Sequence, residues 1–551
     1  MKGISLRRFV CIYIALFFLY AVLRSHWLLS PIGHDEGLFL AGAQACALGE
    51  LPYRDFWDHK PPGIFWLHSI PLRLFPYSRL AVKVSEAAWI ALSGTLFWFL
   101  CRRLFSHWVA LTALGLYVFY TSAPITIRSG GLTEELALTW HALAYILIMV
   151  PKVRGIRSSL LAGIALAVAC QFRQTYAFSG PVFVWIIWRE AVSPATGLRH
   201  LAAFLGGLVM PETLVSLYFL YQGAWYEYLE TSYWFNILYV RARGISPIGR
   251  RTLSNTVRFI VSTGPYLVSP ILACGGLGRG PLPARRFLVP FLLLFFSDIC
   301  GAEMSGEGYE HYYVQATVSS CLLIGLLLQS VARANGETAR GQSWRRPHRI
   351  ALFALFLALC ITGTNRYVKD VHGLVLRHGR TRGPIVLQHS VAEAIQNLTH
   401  PDDRILLLGK SPNSVYLLAR RLPGSRYYHN SPLFKEKFRN AIPERFRERF
   451  LYDLRSRRPV IIILGAAEEE SITRGDLDLA RERAPFMLSA LQEGYIPLED
   501  IAEKMPSDWF WYGKDCSFLV RRDRTDEIIE RLRLPIPSRT RKYTNGWVAQ
   551  G

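Results

Sequence analysis

Between short basic clusters, this chain carries apolar runs of 15–22 residues, repeated through its first two thirds. A helix of that length spans the hydrocarbon layer of a bilayer, so the repetition excludes one soluble globule. The runs lie at 9–23, 80–101, 107–126, 133–150, 158–172, 175–188, 200–221, 256–274, 286–300, 312–332 and 349–364, eleven candidate helices. Arg173 and Gln174 split the 158–188 region into two short halves. Of the 551 residues, 51% are hydrophobic and 13% aromatic, which excludes a disordered chain. The net charge of +22 would suit a nucleic-acid binder, but the cations sit mainly in connectors between runs. The positive-inside bias explains that distribution, and no nucleic-acid partner is expected.

That bias also gives an orientation. With the N-terminus cytoplasmic, the inner connectors hold Lys2, Arg7 and Arg8, then Arg102 and Arg103, then Lys152, Arg154 and Arg157. They continue with Arg189 and Arg199, then Arg279, Arg285 and Arg286, and end with Arg333, Arg340, Arg345, Arg346 and Arg349. Arg241, Arg243, Arg250 and Arg251 form the exception, a basic outer connector that would suit an anionic lipid or pyrophosphate. The first run resembles a signal peptide but lacks a small-x-small cleavage site, so it reads as a retained anchor. A multi-pass protein of the inner (plasma) membrane is expected. The nine cysteines fall mostly in apolar runs and include no CxxC, so they read as packing residues rather than zinc or redox ligands.

From residue 366 the composition becomes charged, and no run can span a bilayer. Arg404–Gly409 and Val460–Gly465 read as buried strands, with Phe518–Arg521 and Tyr427–His429 as further candidates. Helices are expected at His389–Thr399, Ser414–Arg421 and Pro443–Arg457. The chain therefore divides into a transmembrane part (1–365), an extracytoplasmic α/β domain (366–525) and a basic tail (526–551).

The first outer connector is long and rich in chemistry: PIGHDEGLFLAGAQACALGELPYRDFWDHKPPGIFWLHSIPLRLF. It places Asp35, Glu36, Asp55 and Asp58 beside His34, His59 and Lys60. Carboxylates next to a bilayer are costly unless they have a use or a partner. They also suit helix caps, and Asp35 is positioned to cap a helix starting at Gly37. His34, Asp35, Glu36, Asp58 and His59 have the donor types of a metal site. They lack HExxH-like spacing, so no metal is assigned, although a divalent ion stays open. No GxGxxG or P-loop precedes a helix.

With HDEG early and YRDFWDHKPPG later, this connector resembles those of the GT-C glycosyltransferases that use polyprenyl-phosphate sugars. These are similar to protein O-mannosyltransferases and the lipid A aminoarabinose transferase. Arg128-Ser-Gly-Gly-Leu-Thr-Glu-Glu, Gln171-Phe-Arg-Gln-Thr and Glu310-His-Tyr-Tyr-Val-Gln add to the likeness. The resemblance implies a polytopic α-helical GT-C-like fold of about eleven membrane helices with an external α/β domain. It implies transfer of a hexose or pentose from a polyprenyl-phosphate donor, usually with inversion, to a protein, lipid or glycan acceptor. Asp35 matches the proposed base, Glu36 an orienting neighbour, and Lys60 a lysine that meets the lipid phosphate. A second acidic position corresponds to Glu134 or Glu135, and the sequence does not choose. Arg128, Arg173, His311 and Tyr312 are candidate phosphate contacts, and Asp55, Asp58 and His59 would support the loop or the acceptor. A transporter or flippase is the alternative; Glu86 and Glu212, inside apolar runs, are residues such a protein would use. A non-catalytic scaffold is a further rival.

Overall fold

The computed structural model describes residues 6–150, 155–241, 266, 268–277, 282–304, 309–336, 346–378, 384–408, 413–434, 442–465, 485–501 and 516–533. Helix α1 (Leu6–Leu23) leads into the first connector, which holds two short helices, α2 (His34–Ala47) and α3 (Gly63–Leu74). There follow α4 (Arg79–Leu104), α5 (His107–Tyr120), α6 (Pro124–Ile127), α7 (Thr133–Met149) and α8 (Ile156–Cys170). Next come α9 (Ser179–Arg189), α10 (Pro194–Tyr221), α11 (Trp225–Leu229) and α12 (Phe235–Arg241). The helical part ends with α13 (Ser269–Leu277), α14 (Leu282–Glu303), α15 (Thr317–Gly336) and α16 (Arg346–His378).

Local chemistry sets several of these boundaries. Ser78 caps α4 by accepting from the Ala81 amide at 3.2 Å. Ser193 caps α10, and Pro194 opens its first turn, where a missing N–H costs nothing. Among the described residues, four stretches are long and apolar enough to cross a membrane by length and composition: Leu6–Leu28, Arg79–Leu104, Pro194–Tyr221 and Glu310–Ala332. Val22, Val209, Leu214 and Leu217 project outward, each more than half exposed, as side chains against lipid do. The α8–α9 break falls where Arg173 and Gln174 interrupt the apolar pattern, with a 3₁₀ turn over Gln174–Phe178.

Two boundaries differ from the sequence expectation. Helix α16 runs past residue 365 to His378, because a polar helix persists when its charges pair along one face. Arg366 meets Asp370 at 3.1 Å, four residues on. The basic tail opens as a helix, Thr525–Arg533, with Arg524 and Arg531 both paired to Glu527; residues 534–551 lie outside the described ones. So do Arg154, Arg243, Arg250, Arg251, Arg279 and Gly409.

After α16 come α17 (Pro384–Leu398), β1 (Ile405–Leu408), α18 (Ser414–Ala419), α19 (Ser431–Phe434), α20 (Glu444–Arg457) and β2 (Ile461–Gly465). Helix α21 (Pro485–Gly494), β3 (Tyr495–Pro497) and β4 (Cys516–Arg521) complete the sheet, in the order β1-β2-β4-β3. Strands β1 and β2 run parallel, and β4 is antiparallel to both β2 and β3. The alternation of side chains splits the strands between two cores. Ile405, Leu407, Ile461, Ile463, Phe518 and Val520 join the core shared with α17, α18 and the helical part. Leu406, Leu408, Ile462, Leu464 and Leu519 face a second core that takes in Trp57 and Phe235. Tyr427–His429 forms no strand; instead it lies against the first connector, where the Trp57 amide donates to Arg426 O at 2.7 Å and Tyr428 Oη to Leu38 O at 3.2 Å.

The sheet layer therefore sits on α2. A Cβ at Gly37 would lie 2.6 Å from the Ser414 amide nitrogen, so only glycine lets α2 and α18 approach this closely. Gln388 clamps the same region, accepting from the Ile32 amide at 3.1 Å and donating to its carbonyl at 3.0 Å.

Candidate active site

Two acidic pairs, Asp35-Glu36 and Glu134-Glu135, open helices α2 and α7. Successive helical residues point about 100° apart, so each pair splits. Glu36 and Glu135 join one buried charge cluster; Asp35, about one-third exposed, and the buried Glu134 lie toward Lys60 of the DHKPP segment.

Helix α2 begins at His34, with Gly33 as its N-cap. Asp35 therefore lies in the first turn rather than capping it. Glu36 reaches back to the Gly33 amide at 3.3 Å, and Glu135 likewise accepts from the Leu132 amide at 2.8 Å. Both inward carboxylates then join a buried ladder of alternating charge. Arg79 grips Glu36 with two contacts of 2.9 Å. Lys83 joins Glu36 at 2.9 Å to Glu86 at 3.0 Å. Arg24 joins Glu86 at 3.9 Å to Glu135 at 2.7 Å. Three cations thus alternate with three carboxylates, so the charges cancel. Burial alone would raise the carboxyl pKa of Glu36, but Lys83 and Arg79 outweigh it and hold it at about 2. Glu36, which the resemblance makes an orienting neighbour of Asp35, is thus an anion engaged by two cations.

The other two carboxylates differ from each other, Asp35 being partly exposed and Glu134 buried. Asp35 is about one-third exposed and meets Arg128 at 3.3 Å. Arg128 ends α6 with a positive φ of 51° and lies over the Tyr309 ring, 5.3 Å from its centre. Glu134 pairs with Arg173, lies 3.8 Å from His311 and accepts from Thr133 at 2.9 Å. Arg173 also stacks on Tyr312 at 3.9 Å.

The backbone of Lys60 is pinned from two sides: its amide donates to Asp58 at 3.0 Å, and its carbonyl accepts from Tyr53 Oη at 2.9 Å. Two prolines then lead into α3. At Gly63 the turn crosses the end of α8, where a Cβ would lie 2.6 Å from the Gln171 carbonyl oxygen. The Lys60 ammonium makes no ion pair within 4.0 Å among the described residues. Burial and Arg173 lower its pKa, while Glu134, Asp58 and Asp35 act on it in the opposite direction. The same structure thus brings Asp35, Lys60, Arg128, Glu134, Arg173, His311 and Tyr312 to one region.

Asp55 is not brought there. It accepts from the Leu51 amide at 2.8 Å and pairs with Arg54, closing the turn after α2. Asp58 and His59 lie beside His429, which the sequence did not nominate. Facing polar atoms of these three residues lie within 4.8 Å of one another, the donor set of a small metal site. Burial would raise the carboxyl pKa of Asp58, but His429, His59 and Lys60 bring it to about 2. Burial, then Lys60, pushes the imidazole of His59 well below its usual range.

The charges expected of a transporter are internally satisfied. Glu86 belongs to the ladder, and Glu212 accepts from Gln171 and Tyr228 at 2.7 Å each. A cavity of about 280 Å³ lies at the far end of α8, lined by Ser158, Ser159, Glu190, Thr196 and His200, away from the acidic pairs. Sequence reasoning missed Arg24, Arg79 and Lys83, the ladder's cations. Lys83 and Glu86, three apart within an apolar run, were its visible trace.

The fold is that of the GT-C membrane glycosyltransferases. Over 93% of this chain it matches the crystal structure of ArnT from Cupriavidus metallidurans bound to undecaprenyl phosphate. The match covers 97% of that chain at a TM-score of 0.50 and 12% identity. AglB from Archaeoglobus fulgidus, in complex with an inhibitory peptide and a dolichol-phosphate, matches over 88% of this chain and 72% of its own (TM-score 0.44, 13% identity). The arabinofuranosyltransferase AftD from Mycobacteria matches over 94% and 40% (TM-score 0.46, 13% identity). In sequence, residues 59–219 match the model of the dolichyl-phosphate-mannose-protein mannosyltransferases, a segment that runs from His59 to the end of α10. No curated protein matches the chain.

Proposed function

We propose that this membrane protein transfers a sugar from a polyprenyl-phosphate donor to an acceptor on the non-cytoplasmic face. The observation that carries this is the split of the acidic pairs. It leaves Asp35 partly open to solvent in the same region as Lys60, an ammonium with no carboxylate at ion-pair distance among the described residues.

In this reading Asp35 takes the proton of an acceptor hydroxyl as its oxygen attacks the anomeric carbon. The bond from that carbon to the phosphate oxygen breaks, and the electron pair leaves on the polyprenyl phosphate. Lys60 and Arg173 then balance the growing charge. Glu134, with His311 beside it, holds Arg173, Arg128 orients Asp35, and Tyr312 supports the guanidinium face. In-line attack opposite the phosphate inverts the anomeric centre. The basic connectors, read by the positive-inside bias as cytoplasmic, support a site on the non-cytoplasmic side. Two features support the lipid-phosphate donor: the match of residues 59–219, and the shared fold with a protein crystallised with undecaprenyl phosphate.

The test is release of free polyprenyl phosphate from a panel of undecaprenyl-phosphate-linked sugars by the purified protein in liposomes, with envelope fractions as acceptor. Release from at least one donor, lost in Asp35→Asn, is expected. Turnover undiminished in Asp35→Asn would sink the assignment of the base.

A further inference from the structure

We propose that Asp58, His59 and His429 bind one divalent metal of the zinc class, clamping the first connector to the sheet layer. Two observations carry this independently of the catalytic reading. The first is geometry. His59 Nδ1 lies 3.7 Å from Asp58 Oδ1, and His429 Nδ1 lies 3.6 Å from Asp58 Oδ2. These separations are too long for hydrogen bonds and are close to those between neighbouring ligands on a shared ion.

The second observation is satisfaction. Asp58 Oδ2, His59 Nδ1 and His429 Nδ1 are each buried without a hydrogen-bond partner among the described residues, and the Asp58 side chain is only 1% exposed. Buried polar atoms are normally paired. Three facing lone-pair donors are satisfied together by one cation, and two imidazoles with a carboxylate suit zinc and its neighbours.

The surroundings hold these ligands in place. His59 stacks on Tyr239 at 5.6 Å, and the Trp57 ring lies 5.9 Å from that of His429. Asn430, next to His429, donates to the Leu407 carbonyl in β1. Residues 58 and 429 come from distant parts of the chain, so the ion would close a very long loop. It would also fix the backbone one residue before Lys60.

The test reads metal rather than transfer, so it fails or succeeds independently of the proposed activity. Full-length protein in detergent is stripped with a chelator, dialysed against Zn²⁺, exchanged into metal-free buffer and analysed for bound zinc. About one zinc per chain is expected in the wild type. His59→Ala, His429→Ala and Asp58→Asn should each lose most of it, whereas His400→Ala, at an exposed ion pair, should keep it. Zinc should raise the Tm of the stripped wild type and leave that of the His59→Ala/His429→Ala protein unchanged. Co²⁺ absorption bands that vanish in the two histidine variants would add a readout insensitive to small changes in stability. Wild-type zinc no higher than in the double variant, or zinc retained by all three variants, would overturn the site.

Discussion

The buried ladder and the region around Lys60 draw their carboxylates from adjacent residues, and Glu36 and Asp35 show the contrast between them. In the ladder, Arg79, Glu36, Lys83, Glu86, Arg24 and Glu135 alternate in sign and are shielded from water. Such charges are costly to bury and costly to break, because removing one partner strands the other. Beside the DHKPP segment, Asp35 keeps access to solvent, and Lys60 has no carboxylate at ion-pair distance among the described residues. The ladder spends its charges on holding α2, α4 and α7 together. In the proposed function, Asp35 and Lys60 instead serve a proton and a phosphate. One helical step separates the two uses.

The comparison breaks most visibly at Asp35. Asp35→Asn keeps the size but removes the basicity, so transfer should fall by about 10²-fold or more, with Tm nearly unchanged. Its neighbour should behave the other way: Glu36→Gln strands Lys83 and Arg79 and should act mainly on folded yield. Rates measured on equal amounts of monodisperse protein separate the two. Equal activity loss per folded molecule in both variants would collapse the distinction.

The second pair sharpens it. Glu135→Gln removes an ion pair of 2.7 Å and should cost about 3 kcal/mol of stability, read as a drop in Tm and abundance. Glu134→Gln frees Arg173 and should lower turnover about tenfold with a smaller change in Tm. The reverse pattern would reassign which glutamate serves the chemistry. A smaller effect is expected at Lys60. Lys60→Ala should raise the donor KM and lower turnover several-fold, and Lys60→Arg should recover part of both. An unchanged donor dependence would reduce Lys60 to an anchor at the membrane edge.

Much of this was legible from residue order, for identifiable reasons. Apolar run length marked the helices of the first part, and the break at Arg173 and Gln174 was visible as two polar residues. The strands Ile405–Leu408 and Ile461–Gly465 were visible as short apolar runs ending near glycine. The DHKPPG segment announced itself by an unusual mixture of charge and proline. The ladder was hidden, because its six members come from four separated segments and only the Lys83–Glu86 pairing is local. The choice between Glu134 and Glu135 was hidden too, since it depends on how α7 is rotated within the bundle. His429 had no signal at all: its place beside Asp58 is set by the packing of the sheet layer on α2.

The mildest probe of the ladder is pH. The carboxyl of Glu36 sits at about 2 in the folded protein, against an ordinary value of 4.5. A depressed carboxyl pKa means that the folded state prefers the ionised form. The stabilisation is therefore fully present above about pH 4.5 and is lost as pH falls toward 2. Between pH 7 and 5.5 Glu36 should contribute almost nothing to any change in Tm. By pH 4 its protonation should remove about 1 kcal/mol, and by pH 3 about 2 kcal/mol. Thermal unfolding in detergent, followed from pH 7 to 3 in the wild type and in Glu36→Gln, isolates this contribution as the difference between the two curves. The wild type should lose its advantage over the variant progressively below pH 4.5. Parallel curves down to pH 3 would mean that Glu36 keeps its proton equilibrium unchanged on folding, and the contrast between an inward, fixed Glu36 and an open Asp35 would lose its electrostatic basis.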